Sequence, residues 1–434
     1  MSTTRPSIAS LEIRPNTSAM LPLLLDRDLD FHNEKSSYAS HSWHPFAAKF
    51  PPQLPRAFIK TLTIRGDTIL DPMVGSGTTI VEACLLGRRA IGYDIDPLAL
   101  KICKAKITPL DTAEVEEVGI HVLNSAKRTV KDRKAVERFL SSLDVRTREF
   151  IDYWFLPRTQ AELSALVLVI REIEDEDIRN FIELVFSSVI ITKSGGVSLA
   201  RDLAHTRPHK DPTKTPRDAL TQFEQKLAKA VRGLHALRSS RRGIRVCRGD
   251  ARDLKLKDNC IDLVVTSPPY ANAIDYARAH KFSLVWMGEP LSALTELRGT
   301  YIGTERTGKP ETSALPRTAQ AHVETLAAKD ASRAKVLAKY LVDMRYVLKE
   351  LFRVLKFNRA AILVVGPSTM RGLRIPTHEL LTDIGESVGF TSIGCAKRAL
   401  DRNRRLMPAS FRRNSASGIE NRMHEEFVIG FHKE

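Results

Sequence analysis

Thr68-Ile69-Leu70-Asp71-Pro72-Met73-Val74-Gly75-Ser76-Gly77-Thr78-Thr79 joins a short apolar run to a glycine-rich turn and then to a segment of helical character. Thr68–Leu70 reads as a buried strand ending at Asp71, and the helix after the turn is predicted to run to about Gly87. Glycines at 75 and 77 permit positive φ and let a ligand approach the backbone closely, where a helix N-terminus offers free N–H groups. No Gly-Lys-Ser/Thr ending follows, and Asp71 at the turn would repel phosphate, so this is not a phosphate loop. An acidic residue in that crevice suits a ligand carrying a positive amine.

The pattern repeats downstream. Arg89–Asp94 reads as a second strand, and Pro97 opens a helix to about Lys106, since proline is well tolerated in a first helical turn. Asp94 lies 23 residues after Asp71, where nucleotide-binding βαβ units place the acid that receives ribose hydroxyls. Capping the following helix or turn is the other role open to Asp94, as it is to Asp250. Strand, helix, strand implies a parallel sheet with right-handed crossovers.

The alternation then stops. Residues 110–240 are predicted to be mainly helical, with Leu163, Leu166, Ile170 and Ile173 recurring at helical spacing, as do Ile178, Ile182 and Val185. Sheet character resumes at Ile244–Cys247 and Ile261–Val265. A helical stretch at Ala277–Trp286, a polar loop around 302–317 and a long helix near 331–354 come next. Two further strands follow, Ala360–Val365 and Glu426–Phe431. The Ser-, Thr-, Pro- and Asn-rich residues 1–40 read as a loose arm. The expected organisation is an arm (1–40), a catalytic domain split between 41–109 and 241–434, and a helical insertion (110–240).

Thr266-Ser267-Pro268-Pro269-Tyr270 follows the apolar run Ile261–Val265. Proline cannot donate to a sheet ladder and holds its own φ, so Pro-Pro makes a stiff corner at the strand's C-terminal end. Such a corner presents the Ser267 and Pro268 carbonyls as fixed acceptors beside the Ser267 hydroxyl, and Tyr270 adds a flat face. That set suits an extruded base bearing an exocyclic amine. Taken alone, Pro-Pro also suits an ordinary strand-ending turn.

Charge points to a polyanionic partner. The 434 residues carry a formal charge of +16. Residues 201–250 hold 13 Lys/Arg against 5 Asp/Glu, and residues 397–413 hold 7 against 1. Two separate concentrations favour a groove that tracks phosphates over a merely solvated face. The five cysteines are widely spread, and the His205/His209 pair has no Cys-x-x-Cys companion, so neither a disulfide framework nor a metal site is expected. No apolar run approaches the length of a membrane span, and no charged-then-apolar leader pattern is present. A cytoplasmic protein is expected.

These motifs resemble, in order, those of the Rossmann-type S-adenosylmethionine (AdoMet)-dependent DNA amino-methyltransferases. Asp71–Thr79 is similar to their first motif, Ile91–Asp94 to the second, Gly249-Asp250 to the third and Thr266–Tyr270 to the fourth. His44–Pro51 resembles the segment that closes over the cofactor. The resemblance implies an α/β fold of the class I methyltransferase type, a mostly parallel twisted sheet with helices on both faces, here with a large helical insertion. It implies AdoMet as cofactor, held by Phe46, Lys49, Asp71, Gly75, Ser76, Gly77, Thr78, Asp94 (ribose) and Asp250 (adenine amine). Ser267, Pro268, Pro269 and Tyr270 become the catalytic residues. Ser in the first position of the corner is similar to the N4-cytosine enzymes, whereas N6-adenine enzymes more often carry Asp or Asn there.

In the family, target recognition usually falls between the third and fourth motifs or after the core, whereas the largest insertion here separates the second from the third. Arg201, Arg207 and Lys210 in that insertion, and Arg402, Arg404, Arg405, Arg412 and Arg413 before the last strand, are the candidate contacts to double-stranded DNA. Trp154, Phe155 and Trp286 could stack on bases but suit a core better. A cognate restriction endonuclease acting on the same site is a further expected partner, and association with a prokaryotic nucleoid follows from DNA binding. N6-adenine transfer, RNA amino-methylation and a non-enzymatic nucleic-acid-binding role remain the alternatives.

Overall fold

A computed structural model describes residues 14–46, 49–192, 195–201, 203, 208–235, 243–271, 276–304, 310–400 and 424–434. Its strands are β1 (Thr68–Asp71), β2 (Arg89–Asp94), β3 (Ile244–Arg248), β4 (Ile261–Thr266), β5 (Leu355–Val365), β6 (Ser368–Met370), β7 (Leu373–Ile375), β8 (Thr391–Ala399) and β9 (Glu425–Lys433). Seven of them form one sheet in the order β3-β2-β1-β4-β5-β9-β8, and β6 and β7 make a separate hairpin. Strands β1 to β5 pair parallel with one another, while β9 runs antiparallel to both β5 and β8. Strand order reverses between β1 and β4. In open α/β sheets that reversal opens a crevice beyond the carboxyl ends of the strands. The Gly-rich turn and the Pro-Pro corner lie on its two sides.

The buried strands read as continuous apolar runs because both faces of the sheet are covered. Alternation survives within β5. Ala361, Leu363 and Val365 face one core with the helices Ala331–Val354 and Thr377–Ser387. Ala360, Ile362 and Val364 face the opposite core with the helix Gln53–Leu62. Helices therefore lie on both faces of a mostly parallel sheet, as the sequence implies.

The helical block comprises Thr112–Thr129, Arg133–Ser141, Val145–Trp154, Pro157–Ile170, Glu176–Ile190 and Ala219–Leu234. Aspartates start five of these helices: Asp111, Asp132, Asp144, Asp175 and Asp218 each accept backbone N–H groups of the first turn. The block shares a core with Leu98, Ile102 and Ala105 of the helix Pro97–Ile107 and with Phe282, Val285 and Trp286 beyond the corner. The Phe282 ring lies 4.9 Å from Trp154 and 5.0 Å from Phe150. The two departures from sheet grammar thus pack on each other. Phe155 and Trp286 are fully buried in that core, and Trp154 packs against it.

The arm differs from expectation over its described part. Thr17–Leu25 is a helix capped by Asn16, with Pro22 inside it and Leu21, Leu24 and Leu25 buried. It seats on the outer strands at Gly430, where an added Cβ would come within 2.7 Å of Leu25 Cδ1. Polar flanks and an internal proline hide this helix in the sequence. Because Leu21 is fully buried, Leu21→Ala should lower the unfolding free energy by about 2–5 kcal/mol in urea titration. A loss below about 0.5 kcal/mol would detach this helix from the core.

Candidate functional site

The Gly-rich turn has the conformation that its glycines allow. Gly75 and Gly77 have φ of 48° and 81°. A Cβ on Gly77 would meet Cys103 Sγ at 2.7 Å, and one on Gly75 would meet the Phe46 ring at 3.2 Å. The turn is thereby wedged between the helix Pro97–Ile107 and the segment preceding β1. Gly77 caps the helix Thr78–Leu85 without a side-chain acceptor. Ser76 and Thr78 are buried in the turn.

Three carboxylates organise this end of the sheet. Asp71, buried at the end of β1, accepts a hydrogen bond from Thr266 Oγ1 at 2.7 Å and one from Met73 N. Thr266 is the last residue of β4, next to Ser267. Asp94, ending β2, accepts from Gly75 N at 2.8 Å and Asp96 N at 2.9 Å. Burial raises the Asp71 pKa to about 6. Burial, and then the neighbouring negative charge of Asp96, raises that of Asp94 to about 7. Asp96 itself is held below the usual carboxylate range, because His280, Tyr301 and the backbone donors it caps outweigh its burial. Two carboxylates tuned upward at the switch point of the sheet mark a site that gains from a cationic ligand.

The corner is braced from behind. Tyr270 is buried, and its hydroxyl donates to Glu426 Oε1 at 2.7 Å. Glu426 is also ion-paired with the fully buried Arg398, whose Nε donates to the Leu29 carbonyl. Burial and the Glu426 charge push the Tyr270 phenol well above its ordinary range, so it stays a neutral donor. Pro268 is buried, while Ser267 and Pro269 are half-buried.

The segment before β1 is pinned by Glu82 of the helix Thr78–Leu85. That fully buried carboxylate takes Tyr38 at 2.8 Å, His41 at 2.7 Å and Arg56 at 2.9 Å. Phe46, which follows, lies over Gly75. Its ring stacks on Tyr276 at 5.5 Å and lies 5.2 Å from His280. Lys49 Nζ donates to the His41 carbonyl. The buried Lys106, absent from the sequence expectations, donates to the Ser76 carbonyl at 2.9 Å and so supports the turn from below.

Gly249 N donates to the Asp94 carbonyl at 3.0 Å, which sets Asp250 beside the end of β2. Asp250 is engaged by Arg252, which also pairs with Asp343 at 2.9 Å. Arg201 is ion-paired with Asp211, and Lys210 Nζ sits 4.1 Å above the Tyr153 ring. Arg207, Arg402, Arg404, Arg405, Arg412 and Arg413 lie outside the described residues. Among the described residues, no cluster of His, Cys, Asp and Glu could hold a metal, and no helix is long and apolar enough to cross a membrane. Sequence reasoning assigned Thr266 no role of its own within the corner, and none to Glu426, Arg398, Asp96, Tyr276 or His280. The signals available were a charge opening the apolar last strand (Glu426) and an Asp-Pro pair at a helix start (Asp96).

Comparison with known proteins bears on this geometry. Residues 28–105 match the DNA methylase family of the N6/N4 type. That span holds the Phe46 segment, the Gly-rich turn and β2. The chain is 24% identical over 382 residues to the Type II methyltransferase M.MvaI of Kocuria varians, covering 82% of this chain and 83% of that one. It is 23% identical over 388 residues to M.MjaII of Methanocaldococcus jannaschii, covering 69% and 72%. A third Type II methyltransferase, M.MjaI of the same organism, is 47% identical over 60 residues, 14% of this chain and 20% of that one. Together the matches support a DNA amino-methyltransferase that uses AdoMet.

The turn fits such a cofactor. It has a glycine cradle that a Cβ would fill and carboxylates for a ligand that is cationic at its sulfonium and its amine. Ionised Asp71 and Asp94 would attract such a ligand, so AdoMet affinity should rise as pH increases from about 5.5 to 8, the upper part following the Asp94 pKa of about 7. Asp94→Asn should weaken binding and remove that upper part. Calorimetric titration across the range checks this, and a pH-independent dissociation constant would exclude both carboxylates from the binding step.

Proposed function

We propose that this chain is a site-specific DNA methyltransferase that modifies the exocyclic N4 amine of cytosine. The carrying observation is the 2.7 Å bond between Asp71 and Thr266. It joins the last residue of the cofactor strand to the residue before Ser267 across the switch point of the sheet, so methyl donor and amine acceptors meet at one crevice. Ser in the first position of the corner favours cytosine over adenine.

Bound AdoMet supplies an electrophilic methyl group on a sulfonium. Asp94 would hold the ribose of AdoMet, and Asp71 with the backbone of residues 75–78 would hold its methionine end. Phe46 would cover it, with Lys49 fixing the segment that carries Phe46. Asp250, paired with Arg252, would receive the adenine amine. The chain's own work is done mostly at the acceptor. An exocyclic cytosine amine is a poor nucleophile because its lone pair is delocalised into the ring. Ser267 and the Pro268 carbonyl accept the two N–H bonds and favour a tetrahedral nitrogen whose lone pair points at the methyl. Pro269 keeps the corner rigid, so these acceptors need no rearrangement during the reaction. Tyr270, tethered through Glu426, offers its ring to the flipped base. In-line transfer would form the N–C bond as the C–S bond breaks, leaving S-adenosylhomocysteine, and the extra proton on the nitrogen would pass to water. No covalent enzyme intermediate is needed.

DNA is held by the basic stretches. Arg201, Arg207 and Lys210 contribute from the helical insertion, and Arg402, Arg404, Arg405, Arg412 and Arg413 contribute from the segment before β9. Arginine suits either phosphate grip or guanine-edge reading. A cognate endonuclease that cuts the unmethylated site completes the reading.

Incubating the protein with labelled AdoMet and genomic DNA, then identifying the modified nucleoside by mass spectrometry, tests it. N4-methylcytosine is expected, and Ser267→Ala should lose about 10²-fold or more of the turnover while retaining AdoMet binding. N6-methyladenine would overturn the base assignment, and unaltered turnover in the variant would overturn the role of Ser267.

A further inference from the structure

Asp96 lies two residues beyond Asp94 and is almost wholly buried. One of its oxygens caps the helix Pro97–Ile107, accepting from Leu98 N at 2.8 Å and Ala99 N at 3.0 Å. The other faces the opposite way. It accepts from His280 Nδ1 at 2.7 Å and from the Tyr301 hydroxyl at 2.7 Å. Neither donor belongs to the β2 end of the sheet. His280 sits on the helix Tyr276–Leu284 and Tyr301 follows the short helical turn Arg298–Thr300, both downstream of the Pro-Pro corner. A cap needs only one carboxylate oxygen, so the second oxygen and its two donors need another account.

The surroundings supply one. His280 lies in the second aromatic arm over the Gly-rich turn. Phe46 reaches Gly75 from the upstream side, and the same ring meets Tyr276 and His280 from the downstream side. The upstream arm is pinned by Glu82 through His41 and Tyr38. Arg252 donates to the Thr300 carbonyl at 2.9 Å, and the downstream arm's buried carboxylate anchor is Asp96. That anchor belongs to the cofactor side of the crevice, whereas the arm continues from the acceptor side.

We infer that Asp96, His280 and Tyr301 form a clasp that holds the 276–301 segment across the cofactor crevice, with His280 and Tyr301 as positioning residues for AdoMet retention. The inference rests on the AdoMet reading of the turn. Breaking the clasp loosens the wall around the cofactor while leaving Ser267, the Pro268 carbonyl and the capped helix in place. Affinity and residence time should suffer, and the chemical step at saturation should not. The Asp96 carboxylate is left intact in the test, because its charge also raises the pKa of Asp94.

Two conservative variants separate the outcomes. His280→Phe keeps a ring against Phe46 and Tyr276 and removes only the donor to Asp96. Tyr301→Phe removes one hydroxyl and serves if the first variant fails to fold. AdoMet dissociation constants, kcat at saturating AdoMet and DNA, and hydrogen exchange of residues 276–301 with and without AdoMet are measured for each. The expected result is an AdoMet dissociation constant raised about tenfold with kcat within about twofold. AdoMet should slow exchange of 276–301 in the natural protein and slow it much less in the variants. An unchanged dissociation constant in folded variants, or a lower kcat at unchanged affinity, overturns the clasp. If the natural protein itself binds no AdoMet, the cofactor reading falls first.

Discussion

A hydroxyl on one strand and a carboxylate on the next hold the two halves of this crevice in register. Thr266 Oγ1 donates to Asp71 Oδ1 at 2.7 Å with both residues buried. Charge-assisted bonds of this kind are short and stronger than neutral ones, and their loss leaves a buried carboxylate undersatisfied. β1 and β4 are neighbours only because the strand order reverses there. The bond therefore sits at the point where the fold brings together residues 195 positions apart. Everything downstream depends on that register: the Gly-rich turn starts from Asp71, and the Ser-Pro-Pro-Tyr corner starts from Thr266.

The electrostatic design sets attraction for a cation against the cost of burial. Asp71 and Asp94 are both held toward their neutral forms, and Asp96, between the capped helix and His280, stays charged. Raised carboxylate pKa values mean that ionisation costs stability as pH climbs from the ordinary carboxylate range to about 7, and a bound cation offsets that cost. Around this centre lie buried polar contacts that are paired: Glu82 with three donors, Glu426 with Tyr270 and Arg398, and Lys106 with the Ser76 carbonyl. They fix the loops from behind, and rigid loops suit a reaction in which placement does most of the work.

Much of this was legible in the chain itself. Strands β1, β2, β4, β5 and β9 are apolar runs ending in recognisable turn or acidic residues, and the helix starting at Pro97 follows an Asp-Pro signal. Local chemistry writes such features directly. The edge strand β8 was not legible, because one side of it meets only partial cover and its sequence, Thr391–Ala399, lacks an apolar run. The helix Thr17–Leu25 was hidden by its proline and polar flanks, since its stability comes from the glycine seat on β9. Within the site, Asp71, Gly75, Gly77 and Asp94 could be found by spacing. Glu426 and His280 could not: the first reaches Tyr270 across 156 positions of chain, and the second reaches Asp96 across 184. Only the folded sheet makes those pairs neighbours.

The register bond is open to one direct measurement. Thr266→Val keeps the shape of the side chain and removes the donor. At pH 8, well above the Asp71 pKa of about 6, the variant should bind AdoMet and DNA within about threefold of the natural protein, a shift of well under 1 kcal/mol. Its single-turnover methyl-transfer rate should fall by about 10–100-fold. An unchanged transfer rate with both ligands bound would contradict the account, because cofactor turn and acceptor corner would then be aligned without the bond on which the rest is built.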